Sequence, residues 1–214
     1  MYVRSFEEVL GLVQRSFAHL IEEPALTTLT RLRCHDKDSS PTAIGLLERS
    51  LIARMVLRKA SWMKASSMIR YSPSSSLEET MKGIHGLQTA LMLQVIDLHA
   101  PFEWVWEAMA SAFTVADLKL LSRLLGHVRC SGGRDDILAK LHSVFTTQKV
   151  ISGRLASHRA GELFLHVVEQ SYGRDELFVR ISPETLTSLR RFYRLANVRI
   201  WNENRLGSHL SYRT

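Results

Sequence analysis

The sequence has few cysteines, and none of them lies in a metal-binding or disulfide-rich pattern. The 214 residues include two, Cys34 and Cys130, and neither belongs to a CxxC or CxxxH motif. Disulfide frameworks and zinc modules need several closely spaced cysteines or histidines. Both classes are therefore excluded, and we expect the two thiols to be reduced.

The chain also lacks a long hydrophobic run. Its longest apolar stretch, from Ala90 to Ala100, is interrupted by Gln94, Asp97 and His99. A membrane-spanning helix needs roughly 18 consecutive apolar residues. The opening segment MYVRSFEE carries neither the basic patch nor the apolar core of a secretory signal. The sequence therefore predicts an intracellular protein, cytoplasmic or nuclear, with no integral membrane segment.

The signatures of familiar enzymes are missing as well. The sequence contains no GxGxxG or GxxxxGK[ST] phosphate loop, no GxSxG elbow, no HExxH helix and no EF-hand loop. We therefore predict a non-enzymatic protein with no cofactor and no bound metal. An active site assembled from scattered residues stays open as an alternative.

One row of residues has a spacing that permits metal coordination. Residues at intervals of four, four and three would line one side of a helix; they are His158, Glu162, His166 and Glu169. The solvated face of an amphipathic helix shows the same pattern. A metal-dependent enzyme based on this row is the third alternative. A polar loop, Cys34-His35-Asp36 with Asp38, is interpreted as a turn.

The sequence is rich in basic residues, and its composition is biased toward leucine, serine and arginine. The net charge is +7, and Arg outnumbers Lys three to one, which favours bidentate contact with phosphate. Leu, Ser and Arg, the residues with six codons each, supply 75 of the 214 residues. One hypothesis is a gene that overlaps another reading frame, as in small viral accessory genes. The alternative is an ordinary leucine-rich helical protein.

Apolar residues recur at helical spacing along most of the chain. The sequence predicts an all-α protein, an irregular multi-helix bundle of about eight or nine helices in one body or two closely packed halves. The first helix carries Phe6, Leu10 and Val13 on one stripe. We predict an N-terminal helical part at 1–71, a Ser/Pro linker at 72–76, a main helical part at 77–197 and a basic tail at 198–214.

Two long helices are expected in the first half of the chain. The third helix is predicted from Ser40 to about Ile69. The next is predicted from Ser76 through Leu98, until Pro101 stops it. Farther along, Phe102, Trp106, Met109 and Phe113 form a short apolar stripe that is interpreted as core.

The last helix is predicted to open at Ser182-Pro183-Glu184 and to run to about Asn197. The segment from Leu177 to Ile181 is the only strand-like run. Because one short strand cannot make a sheet, no sheet is expected.

The C-terminal segment concentrates the positive charge. From residue 190 onward there are six arginines against one acid, Glu203, and aromatic residues are interleaved with them. Arginines beside exposed aromatics suit phosphate contact and stacking on unpaired bases. The alternative is that the aromatics dock the last helix while the arginines face solvent.

A second basic strip is predicted on the third helix. Arg54 and Arg58 are one turn apart, and Lys59 follows. These charges also permit peripheral contact with an anionic membrane, with Phe102, Trp104 and Trp106 as interfacial anchors.

The preferred interpretation is an RNA-binding accessory or regulatory protein, of viral type. The predicted RNA-binding residues are Arg190, Arg191, Arg194, Arg199, Tyr193, Trp201, Arg54, Arg58 and Lys59. The main alternative is a helical protein-interaction or matrix-like module that oligomerises or binds a host or structural protein.

Overall fold

The computed structural model confirms the all-α prediction, and it is 76% helical. It describes residues 2–33, 44–58, 61–71, 76–124, 132–146, 160–173 and 176–210. Within these ranges the α-helices are α1 (Tyr2–Phe17), α2 (Glu23–Arg33), α3 (Leu46–Val56), α4 (Ala65–Met68), α5 (Leu77–Thr89), α6 (Phe102–Ala112), α7 (Val115–Leu124), α8 (Arg134–Thr146), α9 (Ala160–Tyr172) and α10 (Pro183–Leu210). The strands are β1 (Met63–Lys64), β2 (Leu93–Ile96) and β3 (Phe178–Ile181). In these ranges, no helix is both long and apolar enough to cross a membrane.

Contacts divide the chain into two compact units. Unit 1 comprises residues 1–59, 69–94 and 181–214, and unit 2 comprises residues 60–68 and 95–180. Most of the predicted Ser/Pro linker, residues 72–75, lies outside the described residues. The predicted domain boundaries therefore stay a prediction.

Unit 1 is organised around α1, which packs against α2, α3 and α10. The predicted stripe of Phe6, Leu10 and Val13 is buried, because residues at spacings of four and three fall on one side of a helix. From α10, Leu189 and Phe192 are also buried. Helix α3 packs in turn against α5.

Unit 2 has a core formed by α6, α7, α8 and α9 together with Trp62 and with Phe178 of β3. Its largest fully buried side chains include Trp62, Phe113 and Phe178. From the predicted stripe in α6, Met109 and Phe113 are buried, and Phe102 and Trp106 pack partly buried against the same cluster. The interpretation of this stripe as core is therefore confirmed.

The prediction that no sheet would form is wrong. The strand-like run becomes β3, the central strand of a three-stranded sheet in the order β1-β3-β2. Strands β1 and β3 are antiparallel, with Met63 opposite Val179 and Lys64 opposite Phe178. The partner strands are two and four residues long, too short to leave a period-two pattern that sequence reading detects.

The two long helices predicted in the first half are also wrong in extent. Helix α3 ends at Val56, and β1 and α4 occupy the segment that the prediction gave to its second half. Helix α5 ends at Thr89, because Leu91 takes a left-handed backbone conformation with φ of 58°. The Leu91 N–H donates to Gln88 O and the Met92 N–H to Leu87 O, which is the Schellman helix ending.

Candidate nucleic-acid interface

Five of the six C-terminal arginines belong to α10, whose start matches the prediction, and Arg213 lies outside the described residues. Pro183 is its first residue, and the Ser182 hydroxyl accepts a hydrogen bond from the Thr185 N–H at 3.4 Å. Proline at the first helical position and serine before it are typical of a helix start. The helix continues to Leu210, beyond the predicted end near Asn197, so much of the predicted tail is helical.

Helix α10 presents two arginines to solvent on the side away from its buried residues. Leu189, Phe192 and Ala196 are fully buried, whereas Arg190 and Arg194 are exposed and one helical turn apart. In the part of the chain that the structure describes, no carboxylate pairs with either guanidinium group. These two residues therefore form an uncompensated positive surface.

Two other predicted residues of this helix are already engaged within unit 1. The Arg191 guanidinium donates to the backbone carbonyl of Leu20 at 2.7 Å. The ring of Tyr193 lies 6.5 Å from that of Phe6, and burial raises the pKa of its hydroxyl. Both side chains therefore help to hold α10 against α1 and the turn that follows it.

The structure describes the remaining predicted RNA-binding residues only in part. Arg199 and Trp201 belong to α10 by their backbone, but their side chains lie outside the described residues, as does Lys59. Arg54 lies in the last turn of α3, and Arg58 is exposed just after it. Helix α3 packs on α1 and α5, whereas α10 packs on α1 and α2. The second basic strip, at the end of α3, and the arginines of α10 therefore lie on helices that share α1 as a neighbour but differ in the other neighbour.

A pocket of about 330 Å³ lies beside the start of α10. Its lining includes Pro24, Pro183 and Arg191, but also the carboxylates of Glu22 and Glu184. A volume near 300 Å³ is at the small end for ligand sites. Because two carboxylates offset its one arginine, this pocket does not extend the basic surface.

Unit 2 contains a cluster of hydrogen-bonded polar side chains around Asp117, and such clusters also occur in active sites. Asp117 accepts hydrogen bonds from Lys64 Nζ at 2.9 Å and from the Tyr172 hydroxyl at 2.7 Å. It also accepts from the backbone N–H of Thr114 at 2.7 Å and from its hydroxyl at 2.8 Å. Lys64 Nζ lies 4.4 Å from the centre of the Tyr172 ring, a favourable cation–π distance.

The charges of this cluster are fixed by its hydrogen bonds. Burial by itself raises the pKa of Asp117, but the hydrogen bonds from Lys64, Tyr172 and Thr114 outweigh burial and lower that pKa to about 2. Burial and the neighbouring Asp117 carboxylate raise the pKa of Tyr172 well above its ordinary value. An ionised carboxylate and a protonated phenol are both stable states at neutral pH. The cluster therefore combines a Lys64–Asp117 ion pair with a neutral Tyr172 phenol.

The metal alternatives find no further support. Within the described ranges, no group of three or more His, Cys, Asp or Glu side chains is placed to hold a metal ion. His166 shares a hydrogen bond with Gln170 at 2.8 Å. His158 and the side chain of Glu162 lie outside the described residues, as does the polar loop from Cys34 to Asp38.

Sequence reading overlooked one pair of arginines. Arg15 on α1 and Arg33 at the end of α2 place their guanidinium groups over Gly11. A glycine inside an amphipathic helix is the only available signal, since it marks a place where another group approaches the backbone closely.

No protein-family model and no curated protein sequence matches this chain.

Proposed function

We propose that the protein binds single-stranded RNA through α10. The observation that carries the proposal is the exposure of Arg190 and Arg194 one turn apart on a helix whose other side is anchored in the core of unit 1. Guanidinium groups on a rigid element contact phosphates at low conformational cost. No carboxylate pairs with them among the described residues, so binding an anion breaks no ion pair there.

The residues of α10 have different roles in this proposal. Arg190 and Arg194 contact phosphates, while Arg191 and Tyr193 fix the helix through Leu20 and Phe6. Beyond them, Arg199 and Trp201 supply a further phosphate contact and a stacking surface. The backbone of both lies within α10. Arg54 on α3, with Arg58 and Lys59 after it in the sequence, supplies a second basic surface in this proposal.

Single-stranded RNA is favoured over duplex DNA because of the residues on α10. Phe192 is buried and Tyr193 packs near Phe6, so stacking on unpaired bases is assigned to Trp201. No recognition-helix motif of duplex-binding proteins accompanies these arginines, although one exposed asparagine, Asn197, lies about one turn after Arg194. We therefore expect phosphate contact and stacking, with little sequence specificity.

The test compares Arg190→Gln/Arg194→Gln with Arg4→Gln/Lys82→Gln, using fluorescence anisotropy with a labelled single-stranded RNA oligonucleotide. Both variants lose two positive charges, but Arg4 and Lys82 are exposed and already paired with Glu8 and Glu78. We expect the α10 variant to bind about 10-fold or more weakly, because two charge-assisted contacts are lost. The control should stay close to the parent. Equal losses in the two variants would contradict a role specific to α10.

A second candidate function is binding of a protein partner by unit 2. Helix α7 buries Leu118 and Leu121 but exposes Val115, Leu120 and Leu124, with exposed fractions of 38%, 40% and 45%. Exposed apolar residues grouped on one helix are typical of protein interfaces. Light scattering tests whether this partner is a second copy of the chain. A molar mass above that of one chain, which falls to that of one chain in Leu120→Glu/Leu124→Glu, supports self-association through α7. A single-chain mass in the parent contradicts self-association.

A further inference from the structure

Two arginines from different helices converge on one glycine in unit 1. Arg33 Nη1 lies 2.7 Å from the position that a Cβ of residue 11 would occupy, and Arg15 Nη1 lies 3.3 Å from the same position. Helices α1 and α2 are packed against each other. The missing side chain of Gly11 is therefore what makes room for the Arg33 guanidinium group.

Neither arginine is neutralised by the part of the chain that the structure describes. Two carboxylates of α1 are used elsewhere, since Glu8 pairs with Arg4 at 3.1 Å and Glu7 pairs with Arg49 at 3.6 Å. No described carboxylate pairs with Arg15 or Arg33. Two like charges held this close repel each other, and an anion between them removes that cost.

Favourable interaction with helix ends explains only part of this arrangement. Arg15 and Arg33 lie in the last turns of α1 and α2, where the helix dipole favours a cation. That effect accounts for a positive charge at each helix end. It does not account for the approach of both guanidinium groups to the same glycine.

The geometry points to a binding site for one phosphate group, formed by Arg15 and Arg33 over Gly11. Guanidinium groups match the oxygens of phosphate with paired N–H donors. Arg15 is exposed and Arg33 is half-buried, so a ligand reaches the site from solvent. The site uses none of the residues assigned to RNA contact on α10, and it stands whether or not the proposed function holds.

The first test measures the binding of inorganic phosphate by its effect on thermal unfolding, at constant ionic strength set with chloride. We expect phosphate to stabilise the parent chain in a saturable way, as a ligand of the folded state does. The same response is expected in the control Lys82→Gln/Lys119→Gln, which removes two exposed lysines and leaves the Arg4–Glu8 pair of α1 intact. In Arg15→Gln/Arg33→Gln the apparent Kd should rise about 10-fold or more, since two charge-assisted hydrogen-bonding groups are removed.

Gly11→Ala separates phosphate binding from folding. The added methyl group would meet Arg33 Nη1 at 2.7 Å, and this flexible end can move aside. Alanine also favours the helix, so the variant should fold while it binds phosphate more weakly. Unchanged phosphate binding in Arg15→Gln/Arg33→Gln, or no saturable binding by the parent, would overturn the proposal.

The source of the phosphate group is distinguished by adding the RNA oligonucleotide. Weaker RNA binding by Arg15→Gln/Arg33→Gln, beyond that of the control, indicates that the site holds a phosphodiester. Unchanged RNA binding with lost phosphate binding indicates a free phosphorylated molecule. Phosphate binding that survives in Arg190→Gln/Arg194→Gln shows that this site is separate from α10, even if RNA binding fails altogether.

Discussion

Removing the charge of Asp117 is expected to destabilise unit 2. Lys64 and Asp117 form an ion pair at 2.9 Å, and each side chain keeps only 15% of its exposure. Asp117→Asn leaves Lys64 as a poorly solvated cation without its counterion. Breaking a buried pair in this way costs about 3–5 kcal/mol. Because some exposure remains, we expect a loss of about 3 kcal/mol in the free energy of unfolding.

A double-mutant cycle shows whether the unpaired cation is the cause. Lys64 Nζ also lies 5.2 Å from the centre of the Phe113 ring, so a methionine at position 64 keeps favourable contact with aromatic groups. Lys64→Met/Asp117→Asn should therefore be at least about 1 kcal/mol more stable than Asp117→Asn alone. Urea unfolding followed by circular dichroism measures the parent, Lys64→Met, Asp117→Asn and the double variant. A double variant as unstable as the sum of the single ones would refute the reasoning.

The same cluster predicts a pH dependence with a definite sign. The pKa of Asp117 is about 2 in the folded chain, compared with its ordinary value of 3.8. A lowered pKa contributes stability that is complete above about pH 4 and is lost as the pH falls toward about 2. Allowing for solvent screening, this contribution is about 1–2 kcal/mol. The stability difference between the parent and Asp117→Asn should therefore shrink over that range. A constant difference would contradict the assignment.

Three further substitutions test the packing. Gly11→Ala should raise the free energy of unfolding by about 0.5–1 kcal/mol through helix propensity. Gly83→Ala should instead lower the free energy of unfolding by about 1–3 kcal/mol, because the new Cβ would meet Leu51 Cδ1 at 2.8 Å. Equal effects in urea titrations would show that the contact with Leu51 does not matter. Phe178→Ala should cost about 3–5 kcal/mol, since its buried ring lies 5.8 Å from that of Phe113; a loss below about 1 kcal/mol in the same titration would contradict this packing.

Features set by local sequence were predictable. The buried stripe of α1, the start of α10 at Pro183 and the apolar residues of α6 all follow from helical spacing or capping preferences. The pairing of Thr114 with Asp117 at the start of α7 is another local pattern. Each of these depends on residues fewer than about a dozen positions apart, for which periodicity is informative.

Features set by tertiary contacts were not predictable. A glycine usually provides the left-handed residue of a Schellman ending, but here Leu91 provides it, so the end of α5 carried no sequence signal. The short strands β1 and β2 depend on pairing within a sheet whose central strand lies far along the chain. Arg15 and Arg33 meet because α1 packs against α2. No periodicity within either helix reports that approach.

The salt dependence of RNA binding tests the proposed function most directly. The affinity of the parent and of Arg190→Gln/Arg194→Gln for a single-stranded RNA oligonucleotide is measured from about 50 to about 200 mM salt. Each phosphate contact with a single strand contributes about 0.7 to the slope of log affinity against log salt. We therefore predict that the slope of the variant is smaller in magnitude by about 1.4. Parallel slopes for the two proteins, or no measurable binding by the parent at low salt, would contradict RNA binding by α10.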